Sequence, residues 1–166
     1  TSKIAVCERG EVVDMTAIDI GARIISFDHE GRITRLEEAG RRFAKECGMD
    51  LALGALISED QRAAMVERMA DRLFETISQK TLGPETAGLL RLDALKNTRK
   101  PDSVTFSGGV SEYVYGLQTK GFGDLGPRLA KAMRTRIENW GAPIEKPDQG
   151  IRATVVGASQ YTIQVS

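Results

Sequence analysis

VTFSGGVSEY, residues 104–113, runs strand-forming residues and a serine straight into Gly108-Gly109, then into a polar segment. Two readings are open. A glycine pair makes a tight turn, because glycine alone takes positive φ without strain. It also leaves backbone bare, so that a flat or anionic ligand can lie against it. A strand before the pair and helix-forming sequence after it would expose amides at a turn, which suits a nucleotide's adenosine or phosphate. No Gly-Lys-Ser/Thr follows, so this is not a Walker loop. The third glycine of a dinucleotide fingerprint is also out of place.

Working outward, SVTFS (103–107) is the strand that delivers the pair. A loop or short helix follows, and Pro127 then opens a helix whose apolar stripe is Leu129, Ala130, Met133, Ile137 and Trp140. Gly141-Ala142-Pro143 closes it. Upstream, the longest helix begins at a capping box, Ser58 with Gln61, with Glu59 and Asp60 at the positive end of its dipole. Val66, Met69, Ala70, Leu73, Phe74 and Ile77 form its buried face, and Gly83-Pro84 is read as its end. A shorter helix starts near Glu37, buries Ala39, Phe43, Ala44 and Cys47, and stops at Gly48. Glu37-Glu38 and Arg41-Arg42 fall at i,i+4 spacing and read as surface ion pairs.

The first third reads as a three-stranded antiparallel meander. KIAVCE (3–8) alternates, Arg9-Gly10 turns, EVVDMTAID (11–19) follows, and ARIISFD (22–28) is the third strand. HEG (29–31) is a hairpin turn into RITRL (32–36). At the other end, IRATVV (151–156), Gly157-Ala158 and the apolar stretch YTIQV (161–165) suggest late strands. The order β-β-β-α-α-β-α-β predicts an α/β fold, a mixed sheet with flanking helices.

Composition removes several classes of function. With 23 Lys+Arg against 23 Asp+Glu among 166 residues, the formal net charge is zero, so nonspecific nucleic-acid binding has no electrostatic basis. No run of about 20 apolar residues could span a bilayer, and no export leader is visible. Cys7, Cys47 and the single His29 are too few for a disulfide framework, a zinc site or a histidine-based triad. A cytosolic protein is expected. No carboxylate pair stands out as a general acid and base.

AIDIGAR (17–23) ends a strand in Asp-x-Gly, as phosphate-binding turns do. It sits inside the meander, however, and Ala22-Arg23 follows where Gly-Thr would be needed. Gly21 is therefore read as permitting close backbone packing or a bulge, with Asp19 as a metal ligand the competing reading. Lys80, Lys96, Arg99 and Lys100 read as a solvated basic surface.

Taken together, TSKIAV (1–6), TAIDIGARIISFDHEGRITRLEEAGRRFA (16–44), SVTFSGGVSEYVYG (103–116), FGDLGPRLAKAM (122–133) and IRATVVGASQYTIQVS (151–166) resemble one family. It is the ethanolamine ammonia-lyase reactivating factors, chaperone-like proteins of the actin/Hsp70/sugar-kinase superfamily. The similarity runs end to end and is thinner from about 48 to 100. It implies an RNase-H-like, actin-type lobe, with the whole of 1–166 as the second lobe of a nucleotide-binding unit in a longer chain. Thr1 and Ser2 resemble the tail of the second phosphate loop and would approach the β- and γ-phosphates. Ser107, Gly108, Gly109 and Val110 take the position of the superfamily's adenosine motif.

By that resemblance the intact protein would use ATP and magnesium to release damaged cobalamin from ethanolamine ammonia-lyase, its partner. The 166 residues alone would hold no nucleotide tightly. Apolar faces that otherwise meet the first lobe imply a homodimer, and a microcompartment is an alternative setting within the cytosol. A small-molecule kinase and an actin-like scaffold ATPase are the rival readings.

Overall fold

Alternation in the opening segment produces the first strand pair. In β1 (Ser2–Glu8) Ile4 and Val6 are buried while Lys3 is exposed, so a period of two separates core from solvent. β2 (Glu11–Ile18) returns antiparallel with Ile18 opposite Ser2. The register shifts between Val6 and Cys7, leaving Val13 as the extra residue of a bulge. The structure, a computed structural model, describes residues 1–147 and 159–165.

The main sheet has the order β2-β1-β6-β5. β6 (Ser159–Val165) runs antiparallel to β1, with Val165 opposite Ser2, and parallel to β5 (Ser103–Ser107), with Gln164 opposite Ser107. The sheet is therefore mixed, and the last strand in the sequence lies in its interior. The strand expected over 151–156 and the Gly157-Ala158 step lie outside the described residues.

The meander does not extend to a third strand. Ala22–Ile24 forms a 3-10 turn, and β3 (Ile25–Phe27) pairs with β4 (Ile33–Leu36) in a separate two-stranded ribbon. The cause is that the outer edge of β2 already has a partner. The Asp19 N–H donates to Leu89 O at 2.9 Å and the Arg91 N–H to Ala17 O at 2.7 Å. The Asp14 carboxylate also accepts the N–H groups of Lys96 and Asn97. The β3–β4 turn is held by Asp28, whose carboxylate accepts from Glu30 N and Arg32 N, each at 2.9 Å.

Two long helices cover the core. α2 (Glu59–Ser78) opens on the capping box: Gln61 N donates to Ser58 Oγ at 3.2 Å, and Ser58 N to Gln61 Oε1 at 2.9 Å. It stops at Ser78, and Pro84 instead starts the short α3 (Pro84–Ala87). α5 (Gly126–Trp140) packs on α2, and its buried side carries Leu129, Met133 and Ile137. Two polar and aromatic contacts tie the pair. Arg136 reaches Glu67 and Asp71 on α2 at 2.7 Å, and the Phe74 and Trp140 rings meet edge to face at 5.3 Å.

α1 (Glu38–Glu46) buries Ala39, Phe43 and Ala44. Its expected i,i+4 pairs give way to other partners. Arg42 donates to Gly88 O and Glu85 O, Arg41 to Leu51 O, and Glu37 pairs with Arg35. Exposed i,i+4 ion pairs contribute little, so they yield readily to such contacts. Among the described residues no helix is long and apolar enough to cross a membrane.

Candidate ligand cleft

β5 emerges from the sheet at Ser107 and the chain turns at Gly108, which has φ 84° and ψ −174°. Only glycine populates that region readily. Gly109 then starts the one-and-a-half-turn helix α4 (Gly109–Val114) without a positive φ, and a Cβ placed on it would meet no atom within 4 Å. Backbone conformation explains the first glycine. Neither conformation nor internal packing explains the second, which leaves its position open to whatever occupies the space beyond.

A polar clamp fixes the turn from beneath. The Tyr115 hydroxyl accepts the Phe106 N–H at 2.6 Å and lies 3.1 Å from Phe106 O and 2.9 Å from Glu145 O. Burial pushes this phenol above its ordinary pKa, so it stays protonated and able to donate. Beside it, Val104 exchanges backbone hydrogen bonds with Pro143 and Glu145. The outer edge of β5 is thereby covered, and the Gly-Gly turn has a rigid base.

The open space is a cleft of about 570 Å3, a size ordinary for small-ligand sites. Thr1, Gly109 and Val110 all line it. The sheet register explains their meeting, since Ser2 lies opposite Val165 and Ser107 opposite Gln164 at the same end of the sheet. Ser2, Ser107 and Gly108 are not among the cleft's lining residues. The Ser2 side chain is fully buried and donates to Ile20 O at 2.7 Å. Asp19 is not free for a metal. Its carboxylate accepts from Thr1 Oγ1 at 3.2 Å and from Arg91. Burial alone would raise its pKa, but the Arg91 hydrogen bond and charge, helped by Thr1, hold it below the usual carboxylate value.

The opposite wall comes from segments that sequence reasoning did not assign to a site. The 3-10 turn supplies Arg23, and the loop 121–127, GFGDLGP, supplies Phe122 and Asp124. This loop is stapled to the ribbon: the Phe27 N–H donates to Gly123 O at 2.7 Å and the Leu125 N–H to Ala22 O at 3.1 Å. Gly123 has φ 71°, and a Cβ there would fall 2.2 Å from Phe27 O, so no other residue fits. Asp124 is nearly buried, accepts the Gly126 N–H at 2.8 Å and faces Arg23 Nε at 3.5 Å. Tyr113 donates to Lys120 O at 2.9 Å. Its phenol is raised by burial and then by the charges of Asp124 and Glu112.

Charge inside the cleft is therefore largely spent. Arg23 is paired with Asp124, and Arg35 with Glu37, while Glu112 adds a further carboxylate. The arrangement offers a bare backbone floor, aromatic edges and carboxylates rather than an array of free cations. Among the described residues no group of three His, Cys, Asp or Glu side chains is placed to hold a metal ion. The donor set favours an uncharged ligand over a polyanion and does not by itself fit magnesium.

The fold and cleft define an α/β protein with a glycine-floored, solvent-open ligand cavity. Comparison with known families is more specific: the model for "Ethanolamine utilisation protein EutA" matches residues 1–166, and the chain belongs to that family. It is 28% identical over 169 residues to the ethanolamine ammonia-lyase reactivase EutA of Escherichia coli strain K12. To the protein of the same name from Salmonella typhimurium it is 29% identical over 169 residues. Each alignment covers 100% of this chain and 36% of the relative, so the chain spans about a third of the length of the curated relatives it matches. No solved structure matches it.

Proposed function

We propose that this chain belongs to a reactivating factor for ethanolamine ammonia-lyase and forms the adenosine-side lobe of its nucleotide cleft, an RNase-H-like lobe of the actin type. The partner follows from the names of the two relatives. The nucleotide rests on one observation: Thr1 and the bare Gly109 line one cavity, although 108 positions separate them in the sequence. In this reading Gly109 and Val110 lie under the ribose and base. Thr1 marks the side from which the phosphates leave the cavity. Ser2, Ser107 and Gly108 adjoin these lining residues in the chain.

ATP would supply binding energy that differs between open and closed arrangements of the intact protein. A nucleotide can shift such an equilibrium only by its differential affinity for the two states. The motion would act on the lyase and free damaged cobalamin, so that intact adenosylcobalamin can enter. Magnesium would be held mainly by residues of the intact protein other than the ones described here, since Asp19 is already engaged.

The test uses the intact gene product with ethanolamine ammonia-lyase inactivated by a cobalamin that lacks the adenosyl group. Addition of ATP, magnesium and fresh adenosylcobalamin should restore ammonia release, and omission of ATP should abolish the recovery. Recovery that is indifferent to nucleotide would remove the nucleotide reading. No recovery under any condition, with a correctly folded protein, would remove the reactivating role.

A further inference from the structure

The GFGDLGP loop has no role in the reading above, yet it is firmly built into the cleft. Two backbone hydrogen bonds, to Phe27 and Ala22, and the glycine-only contact at Gly123 fix its path. Leu125 is completely buried beneath it, and Asp124 is folded inward with 9% of its side chain exposed. Against this rigid base, Phe122 projects with 61% exposure although it is a large apolar residue, and it lines the cavity. Arg23 likewise lines the cavity, 68% exposed, with only its Nε side held by Asp124. An exposed phenyl ring and a planar guanidinium, anchored to one stiff loop and facing a polar cavity, are the groups that bind a flat heteroaromatic ring by its faces.

We propose that this loop is the base-holding wall of the cleft, with Phe122 and Arg23 gripping the purine and Asp124 acting as the positioning residue for Arg23. The proposal rests on the nucleotide reading of the same cavity and adds what selects the ligand. Selection acts on the base, because the lining sets the carboxylates of Glu37, Glu112 and Asp124 against two guanidiniums, an excess of negative charge that disfavours phosphate. Adenosine should accordingly hold most of the affinity that the cavity itself provides.

The experiment measures adenosine binding to the intact protein, comparing wild type with Phe122→Ala and Phe122→Trp. Loss of the ring should weaken adenosine about tenfold, the scale of losing one base-stacking side chain. The Phe122→Trp variant should bind close to wild type, and the emission of the indole it introduces should be quenched by adenosine and unaffected by ribose 5-phosphate, which has no base. Because Phe122 is mostly exposed, the melting temperature of both variants should match wild type. Unchanged adenosine affinity in Phe122→Ala, or an indole indifferent to adenosine, would overturn the base-holding wall and leave the nucleotide cleft standing. A wild-type protein that binds neither adenosine nor ATP would remove the cleft reading, and this one with it.

Discussion

Gly108 and Gly109 are chemically identical and structurally opposite. Gly108 sits at φ 84°, ψ −174°, whereas Gly109 has ordinary helical backbone and empty space where a Cβ would point. Gly108→Ala should therefore cost about 1–3 kcal/mol, the range for a side chain forced into a glycine-only region. Gly109→Ala should leave stability unchanged or raise it by about half a kcal/mol, since alanine favours helix over glycine. Its methyl group would nonetheless intrude on the cavity floor and weaken adenosine. Urea denaturation and adenosine titration of the two variants separate these effects. Equal destabilisation by both would mean that Gly109 is needed for the turn itself. From the sequence the pair was visible as a turn or a site without a decision between them. The division of labour became readable only with the φ of one and the open surroundings of the other. Arg23 was less legible still, because its partner Asp124 lies 101 positions away and nothing local signals the pairing.

At the scale of elements, legibility followed how local the determining interactions are. The start of α2 is legible to the residue because Ser58 and Gln61 satisfy each other's backbone within one turn. Ser58→Ala should lower stability by about 1 kcal/mol, the usual cost of losing an N-cap oxygen. An unchanged midpoint in thermal or urea unfolding would show that the first turn is held by packing instead. The β3–β4 hairpin is legible in ARIISFD, HEG and RITRL, but the sheet it belongs to is not, for the opposite reason. Alternation of apolar residues in ARIISFD fixes which face is buried and says nothing about which strand lies alongside. The edge of β2 is filled by residues 89–91, a segment with no strand-like pattern. Gly83-Pro84 misled in a similar way, since proline suits the first turn of a following helix as well as the end of a preceding one.

For the whole molecule, the order of strands beyond the β1–β2 hairpin is not in the sequence pattern. A final segment that inserts between β1 and β5 obeys long-range pairing, which periodicity does not encode. The same insertion brings the ends of β1 and β5 to one side, where Thr1 and Gly109 line one cavity. The cavity provides a floor at Gly109, aromatic groups at Phe122 and Tyr113, and three carboxylates against two guanidiniums that are already paired. A triphosphate would bring several negative charges to that surface, where the Thr1 hydroxyl already donates to Asp19. Removing those charges from water without matched cations is unfavourable. The isolated chain is thus expected to bind ATP with magnesium weakly or not at all and to prefer adenosine, and it should not hydrolyse ATP. Titration calorimetry of the 166-residue chain with each ligand decides it. Micromolar binding of ATP would mean that the phosphate-binding groups are already complete within these residues and that the assignment of the cleft's two halves is wrong.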